Sequence, residues 1–219
     1  EVTGIGPRRA EIIVAGVNTL QEFVDAFRVP KLYYSSAGVR EGIIADLAHR
    51  KVGLEQIKLD PDRRRVVQGV ARKYGISAQH VGKVAYLASG LFQGLRRIHG
   101  LSPEKGQLLE ASAYLYNIGH FVNESRHHKH SYYLVANADL AGFSDQERMV
   151  IAHLCRYHRK SMPQPSHLEF QALDGESRRA VVLMTPLLRL AVALDRSQEQ
   201  LVEDIELTIE DRSVTLHLR

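Results

Sequence analysis

The stretch Leu115-Tyr116-Asn117-Ile118-Gly119 lies between helical stretches and among histidines that are spaced like metal ligands. In an amphipathic helix, a polar residue in register with the apolar stripe is turned inward. Tyr116 and Asn117, at the centre of this set, are neither histidine nor carboxylate. The sequence around this stretch therefore predicts a helical domain built on an incomplete ligand set.

Residues 60–200 carry helical periodicity throughout, with clear boundary signals. Ser77 is placed to cap one helix, and Ser102-Pro103 begins another, which Gly119 is suited to close. Ser144-Asp145-Gln146-Glu147 is a capping box, and a long helix is predicted from Glu176 to Asp195.

The two ends of the chain have a different pattern. Residues 1–55 mix a helix over Arg9–Phe27, a short strand over 31–36 and a second helix over 38–48. A lone strand cannot satisfy its backbone, so we expect the chain to start inside a domain. Residues 201–219 alternate apolar and polar on both sides of Glu210-Asp211-Arg212-Ser213, which predicts a β-hairpin.

The formal charge of +4 suits a polyanionic partner, although many basic proteins have none. If the central basic clusters share a face, they form a phosphate-attracting surface whose binding weakens with salt. Aromatic residues are not interleaved with them as a single-strand binder needs, so we expect no specific nucleic-acid partner. The basic clusters are Arg63-Arg64-Arg65, Arg72-Lys73, Arg96-Arg97, Arg126, Lys129, Arg156, Arg159-Lys160 and Arg178-Arg179.

No apolar run approaches the roughly 20 residues of a membrane helix, and no secretory segment opens the chain. We therefore expect a cytoplasmic protein without a membrane partner. The single Cys155 excludes an internal disulfide and a cysteine-rich zinc site.

Helical spacing predicts which polar side chains lie on the buried face of a helix. His158 shares a face with Ile151 and Leu154, and Asp195 shares one with Leu188 and Ala191. A two-metal phosphohydrolase site needs neutral imidazoles and a bridging carboxylate. The edges of such a site could come from His80, His130, His158 and Asp195, whereas His49, His99, His167 and His217 are predicted to lie at the surface.

These positions resemble the HD superfamily and, more closely, the helical domain of the Ppx/GppA family of exopolyphosphatases and guanosine pentaphosphate phosphohydrolases. The resemblance covers nearly the whole chain. It is carried by Gly6-Pro7-Arg8-Arg9-Ala10-Glu11-Ile12-Ile13, Ser36-Ala37-Gly38-Val39-Arg40-Glu41-Gly42, His127-His128-Lys129-His130-Ser131, Asn137-Ala138-Asp139-Leu140-Ala141-Gly142-Phe143 and Arg156-Tyr157-His158-Arg159-Lys160.

The resemblance implies a mainly α chain with an HD-like helical domain over 60–200. Residues 1–55 would be the end of an actin-like α/β phosphatase core, in its second lobe, and residues 201–219 the hairpin that starts an α+β C-terminal subdomain. The catalytic acid and phosphate-gripping loops would lie upstream, so no catalytic residue is expected here. Arg9 and Arg40 are candidate phosphate contacts, or they pair with local acids such as Glu11 and Glu41.

The departure from the HD pattern bears on metal binding. Tyr116 offers a phenol that is protonated near neutral pH and Asn117 a neutral amide, and neither replaces an anionic bridge. We expect no dinuclear centre at the vestigial positions, and magnesium is implied only for the intact enzyme. The vestigial positions are His80, Tyr116, Asn117, His130, His158 and Asp195.

Three functions remain open. The first is the carboxy-terminal region of a phosphatase acting on polyphosphate or guanosine pentaphosphate, supplying a substrate channel and homodimer contacts. The second is an HD metal-dependent phosphohydrolase, and the third is a noncatalytic module for nucleotide sensing or dimerisation. For the first, the phosphate-binding candidates are Arg9, Arg40, Arg126, Lys129, Arg159 and Lys160, although the histidine run beside Lys129 equally suits a structural cluster or a solvated loop.

Overall fold

The computed structural model describes residues 7–28, 58–211 and 213–219. The chain divides into two compact units, Glu1–Arg50 and Lys51–Arg219. In the first unit, helix α1 spans Pro7–Ala26, which confirms the helix predicted over Arg9–Phe27. The strand predicted at 31–36 and the helix predicted at 38–48 lie outside the described residues.

The described part of the second unit is helical up to a terminal hairpin, which confirms the predicted mainly α fold. The two strands are antiparallel and pair from Ile205 with Leu218 to Glu210 with Ser213, around the predicted turn. The elements are α2 (Pro61–Lys73), α3 (Ala78–Gly94), α4 (Arg96–His99), α5 (Pro103–Leu115), a 3-10 turn (Ile118–Phe121), α6 (His127–Ala136), α7 (Asp145–Tyr157), α8 (Leu168–Gln171), α9 (Gly175–Leu194), β1 (Ile205–Glu210) and β2 (Ser213–Leu218).

Helix α5 forms the centre of this unit, because every residue from Leu108 to Leu115 is buried. It packs against α2, α3, α7 and α9, so no face of the stretch from Leu108 to Leu115 is left for water. Its one buried charge, Glu110, accepts hydrogen bonds from the Leu59 amide at 2.7 Å and from the Arg64 guanidinium at 2.8 Å. The carboxylate therefore ties α2 and the chain before it to the core.

The hairpin packs on α3 within the same compact unit. A Cβ added at Gly90 would lie 3.2 Å from the Ile205 side chain, and one added at Gly94 would lie 2.5 Å from that of Leu207. Because the two glycines are one helical turn apart, they form a shallow strip that receives β1. Tyr86 adds a hydrogen bond of 2.8 Å to Asp204.

The boundary predictions had mixed outcomes. The capping box at Ser144 and Glu147 is present. Ser77 and Ser102 lie at the N-cap positions of α3 and α5, but neither side chain makes a capping hydrogen bond to the helix. The role predicted for Gly119 was wrong, since α5 ends at Leu115 and Gly119 lies inside the following 3-10 turn. In the described ranges, no helix is long and apolar enough to cross a membrane.

Candidate functional site

A cavity of about 650 Å³ brings together five of the six vestigial positions, namely His80, Tyr116, Asn117, His158 and Asp195. We call it the histidine cavity. Tyr116, His158 and Asp195 each directly follow the last residue of a helix, α5, α7 and α9, and His80 lies in the first turn of α3. The site is therefore built where helix ends converge.

A buried chain of hydrogen bonds crosses the cavity. His80 Nδ1 lies 2.7 Å from Asp195 Oδ2, and His80 Nε2 lies 2.6 Å from the Tyr116 hydroxyl. Burial, and then the charge of Asp195, raise the pKa of Tyr116, so its hydroxyl keeps its proton. Tyr116 then donates to His80 Nε2, and His80 Nδ1 donates to Asp195, which satisfies all three groups.

A second group of imidazoles lines the same cavity, next to Tyr116, whose ring centroid is 4.9 Å from that of His158. His158 Nδ1 donates to the Cys155 carbonyl at 2.7 Å, so its unprotonated Nε2 lies 3.4 Å from His127 Nε2. The ring of His120 stacks on that of His127 with centroids 3.7 Å apart. Burial lowers the pKa of His127 to about 4 and of His158 to about 3. These imidazoles are consequently uncharged at neutral pH.

Positive charge at the histidine cavity comes from arginines. Arg159, Arg189 and Arg196 line it, against the carboxylates of Glu124 and Asp195. The Arg189 guanidinium also donates to the carbonyls of Tyr157, Lys160 and Ser161, at 2.7, 2.7 and 2.8 Å. Arg189 thereby holds the turn after α7, which carries His158 and Arg159.

The donor set does not fit a two-metal centre. Both ring nitrogens of His80 are engaged, one by Asp195 and the other by the Tyr116 hydroxyl, which takes the lone pair that a metal would use. Asn117 lines the cavity as a neutral amide. Among the residues that the structure describes, no three His, Cys, Asp or Glu side chains form a cluster that could hold a metal ion.

The other predicted residues are distributed differently. Lys129, Arg159 and Lys160 line a second cavity of about 110 Å³, which we call the basic cavity. Arg126 is exposed, with a left-handed backbone at φ 60°, and lines neither cavity. Arg40 and the side chain of Arg9 lie outside the described residues.

His130 was predicted at the edge of the site but does not line the histidine cavity, and His127 does. The phase of α6 explains this difference, because the helix begins at His127 and buries His127, His128, Ser131 and Val135 while leaving His130 half-buried. His99, predicted at the surface, is instead buried and bonded to the Phe92 carbonyl at 2.9 Å.

Sequence reasoning missed His120, Arg189 and Arg196 as cavity residues. A signal for the arginines exists, since Arg189, Val192, Ala193 and Arg196 follow the spacing of one helix face and all four line the cavity. No local pattern marks His120, which the 3-10 turn brings to the cavity.

Comparison with known proteins shows which family the sequence of this chain matches. The model of the family described as Ppx/GppA phosphatase, domain III, matches residues 63–219. The guanosine-5'-triphosphate,3'-diphosphate pyrophosphatases of Vibrio vulnificus (strain YJ016) and Pseudoalteromonas translucida (strain TAC 125) are 27% and 25% identical over 218 residues. Each alignment covers 99% of this chain but 42% of the relative, so the chain spans less than half the length of these proteins. The chain belongs to the Ppx/GppA phosphatase family, whose domain III it contains.

Proposed function

We propose that this chain is the carboxy-terminal region of a phosphohydrolase that removes terminal phosphate from guanosine pentaphosphate or polyphosphate. Its role is to bind and orient the phosphate chain, and catalysis belongs to the rest of the protein. The observation that carries the proposal is the placement of Arg159 in the lining of both the histidine cavity and the basic cavity. A cationic side chain that two cavities share in this way suits a ligand with several phosphates in a row.

The chemistry of the site supports binding rather than bond cleavage. Tyr116 retains its proton and donates it in a hydrogen bond to His80, so the phenol does not act as a nucleophile. Cys155 is completely buried and burial raises the pKa of its thiol, which suppresses the nucleophilic thiolate. The uncharged His127 and His158 accept or donate hydrogen bonds without adding charge. Magnesium is proposed only for the longer protein, where it would screen phosphate charge, because His80 and Asp195 are already bonded to each other.

Binding by this chain alone tests the proposal. Anisotropy of labelled long-chain polyphosphate should report binding that weakens as salt is raised, with no release of phosphate over hours. Replacing two cavity arginines, Arg159→Gln with Arg196→Gln, should weaken binding about tenfold or more, because charge-assisted hydrogen bonds are lost. Arg96→Gln with Arg97→Gln removes two exposed charges outside both cavities and serves as the control. Hydrolysis by this chain, or equal binding by all variants, would refute the proposal.

A second candidate function is nucleotide sensing. The volume of the histidine cavity, about 650 Å³, is in the range of small-molecule sites, and its lining is polar. Calorimetry with guanosine tetraphosphate separates the two functions: saturable binding of that nucleotide with no affinity for polyphosphate favours the sensor. The metal-dependent alternative is disfavoured by the engaged nitrogens of His80.

Homodimer contacts and a cytoplasmic location complete the proposal. Ile98, Val182 and Leu168 are 59%, 43% and 77% exposed, and the first two line an apolar groove of about 730 Å³. Light scattering of the parent and of Ile98→Glu tests self-association, which the substitution should weaken.

The proposed cytoplasmic location rests on the single Cys155. It is a buried free thiol, as expected of a protein in a reducing compartment.

A further inference from the structure

The basic cavity lies between the start of α6 and the turn after α7. Lys129, Arg156, Arg159 and Lys160 supply its charge, and none of the described side chains that line it is a carboxylate. Its volume of about 110 Å³ holds several water molecules and is therefore sufficient for one tetrahedral phosphate group.

Arg156 is held in place before any ligand arrives. Its side chain is 18% exposed, and its guanidinium lies over the rings of Tyr132 and Tyr157 at 5.3 and 5.9 Å. These cation–π contacts fix the direction of the guanidinium. Its ion pair with Glu169 is long, at 3.9 Å, so the carboxylate does not engage Arg156 through a close hydrogen bond.

A buried histidine in the lining has an unmet hydrogen bond. His128 is 7% exposed, and its Nδ1 has no partner among the groups that the structure describes. A buried polar atom without a hydrogen-bond partner destabilises the folded state. His128 also lines the basic cavity, so its imidazole carries hydrogen-bonding capacity next to the cavity that the protein leaves unused.

His167 adds a ring N–H to the lining. The lone pair of its Nδ1 is shared by the Tyr157 hydroxyl at 2.9 Å and the Gln164 amide at 3.3 Å, so the ring proton is on Nε2. Lys160 adopts a left-handed φ of 62°, a strained conformation for a residue with a side chain, and Arg189 holds its carbonyl. Strain of this kind clusters at ligand sites.

We propose that the basic cavity is a phosphoryl-binding site that holds one terminal phosphate of a phosphorylated ligand, with His128 as its buried hydrogen-bonding group. The inference rests on the proposed function for its ligand class and assigns that class to a defined set of residues. Because Arg159 lines both cavities, a chain of phosphates anchored here extends toward the histidine cavity.

Calorimetry at low salt with inorganic phosphate, pyrophosphate and long-chain polyphosphate tests the site on the whole chain. Arg156→Gln and His128→Leu should each weaken pyrophosphate binding about tenfold, as expected for one charge-assisted hydrogen bond, and Arg97→Gln should change it less than twofold. Similar affinities for phosphate and pyrophosphate would show that the cavity also takes free phosphate, whereas a preference for pyrophosphate would identify a chain terminus. Circular dichroism confirms that each variant is folded.

The outcomes separate this inference from the proposed function. If polyphosphate binds but Arg156→Gln and His128→Leu behave like Arg97→Gln, the phosphoryl site is refuted and the function stands. If pyrophosphate binding depends on both residues while polyphosphate binds no better and insensitively to Arg196→Gln, which changes the histidine cavity only, the phosphoryl site stands and the channel is refuted. If no phosphate compound binds, both are refuted.

Discussion

Gly119 is the point where the histidine cavity depends most sharply on a missing side chain. A Cβ at this position would lie far inside van der Waals distance of the His127 carbonyl oxygen, 2.5 Å from the Ser131 amide nitrogen and 2.8 Å from its hydroxyl. The contact with the Ser131 nitrogen is about 0.9 Å shorter than ordinary contact at 3.4 Å, and two of the three atoms belong to the backbone of α6. The φ of Gly119 is not left-handed, so Gly119→Ala isolates this clash.

We expect Gly119→Ala to lower the free energy of unfolding by about 2–4 kcal/mol. Overpacking against backbone costs about 1–3 kcal/mol, and loss of the 2.8 Å bond from the Gly119 amide to the Ser131 hydroxyl adds about 1 kcal/mol. In a unit of this size the midpoint of thermal unfolding should fall by about 10 °C. Urea unfolding followed by circular dichroism measures the free energy, and a thermal scan with the same signal measures the midpoint.

Gly69 provides the matched control. It lies in the exposed middle of α2, and an added Cβ meets nothing within 4 Å. Gly69→Ala should therefore stabilise the protein by about 0.5–1 kcal/mol through helix propensity. If Gly69→Ala behaves in this way but Gly119→Ala stays within about 0.5 kcal/mol of the parent, the close approach of α6 to the 3-10 turn is refuted.

Three further predictions concern buried polar groups. Glu110→Ala should lower the free energy of unfolding, measured in urea, by about 3 kcal/mol, because the Leu59 amide and the Arg64 guanidinium lose their hydrogen-bond partner. A decrease of less than about 1 kcal/mol would contradict the buried pair. Arg189→Met should cost about 2–3 kcal/mol and weaken polyphosphate binding, because three carbonyls of the turn after α7 lose a charged donor; unchanged values in both assays would exclude the clamp. Burial lowers the pKa of His158 to about 3 in the folded state, whereas in the unfolded chain it is about 6.5. Below pH 6.5 the unfolded chain therefore takes up a proton that the folded state does not, and the free energy of unfolding falls until the pH reaches about 3. Lowering the pH from 7 to 5 should cost about 2 kcal/mol through this residue, and His158→Asn should remove that part of the pH dependence.

The local elements were predictable where short-range chemistry decides them. The capping box at Ser144, Pro103 at the first position of α5 and the alternation around Asp211 each act within a few residues, so their structures follow from the sequence. The prediction that Gly119 closes a helix was wrong because glycine is typical both of helix ends and of places where two backbones approach closely. Only the distance to α6 distinguishes the two roles.

The sequence alone determined that the vestigial set lacks an anionic bridge, because side-chain chemistry at Tyr116 and Asn117 does not depend on the fold. Helical spacing likewise determined that His158 and Asp195 face inward, and both are buried. The tertiary structure decided which histidine of the run at 127–130 enters the cavity, since the phase of α6 is fixed by its packing on α7 and the 3-10 turn. It also decided that Tyr116 bonds to His80 and that Arg189 holds a turn 28–32 residues away. Such contacts join distant parts of the chain, and periodicity along the sequence cannot encode them.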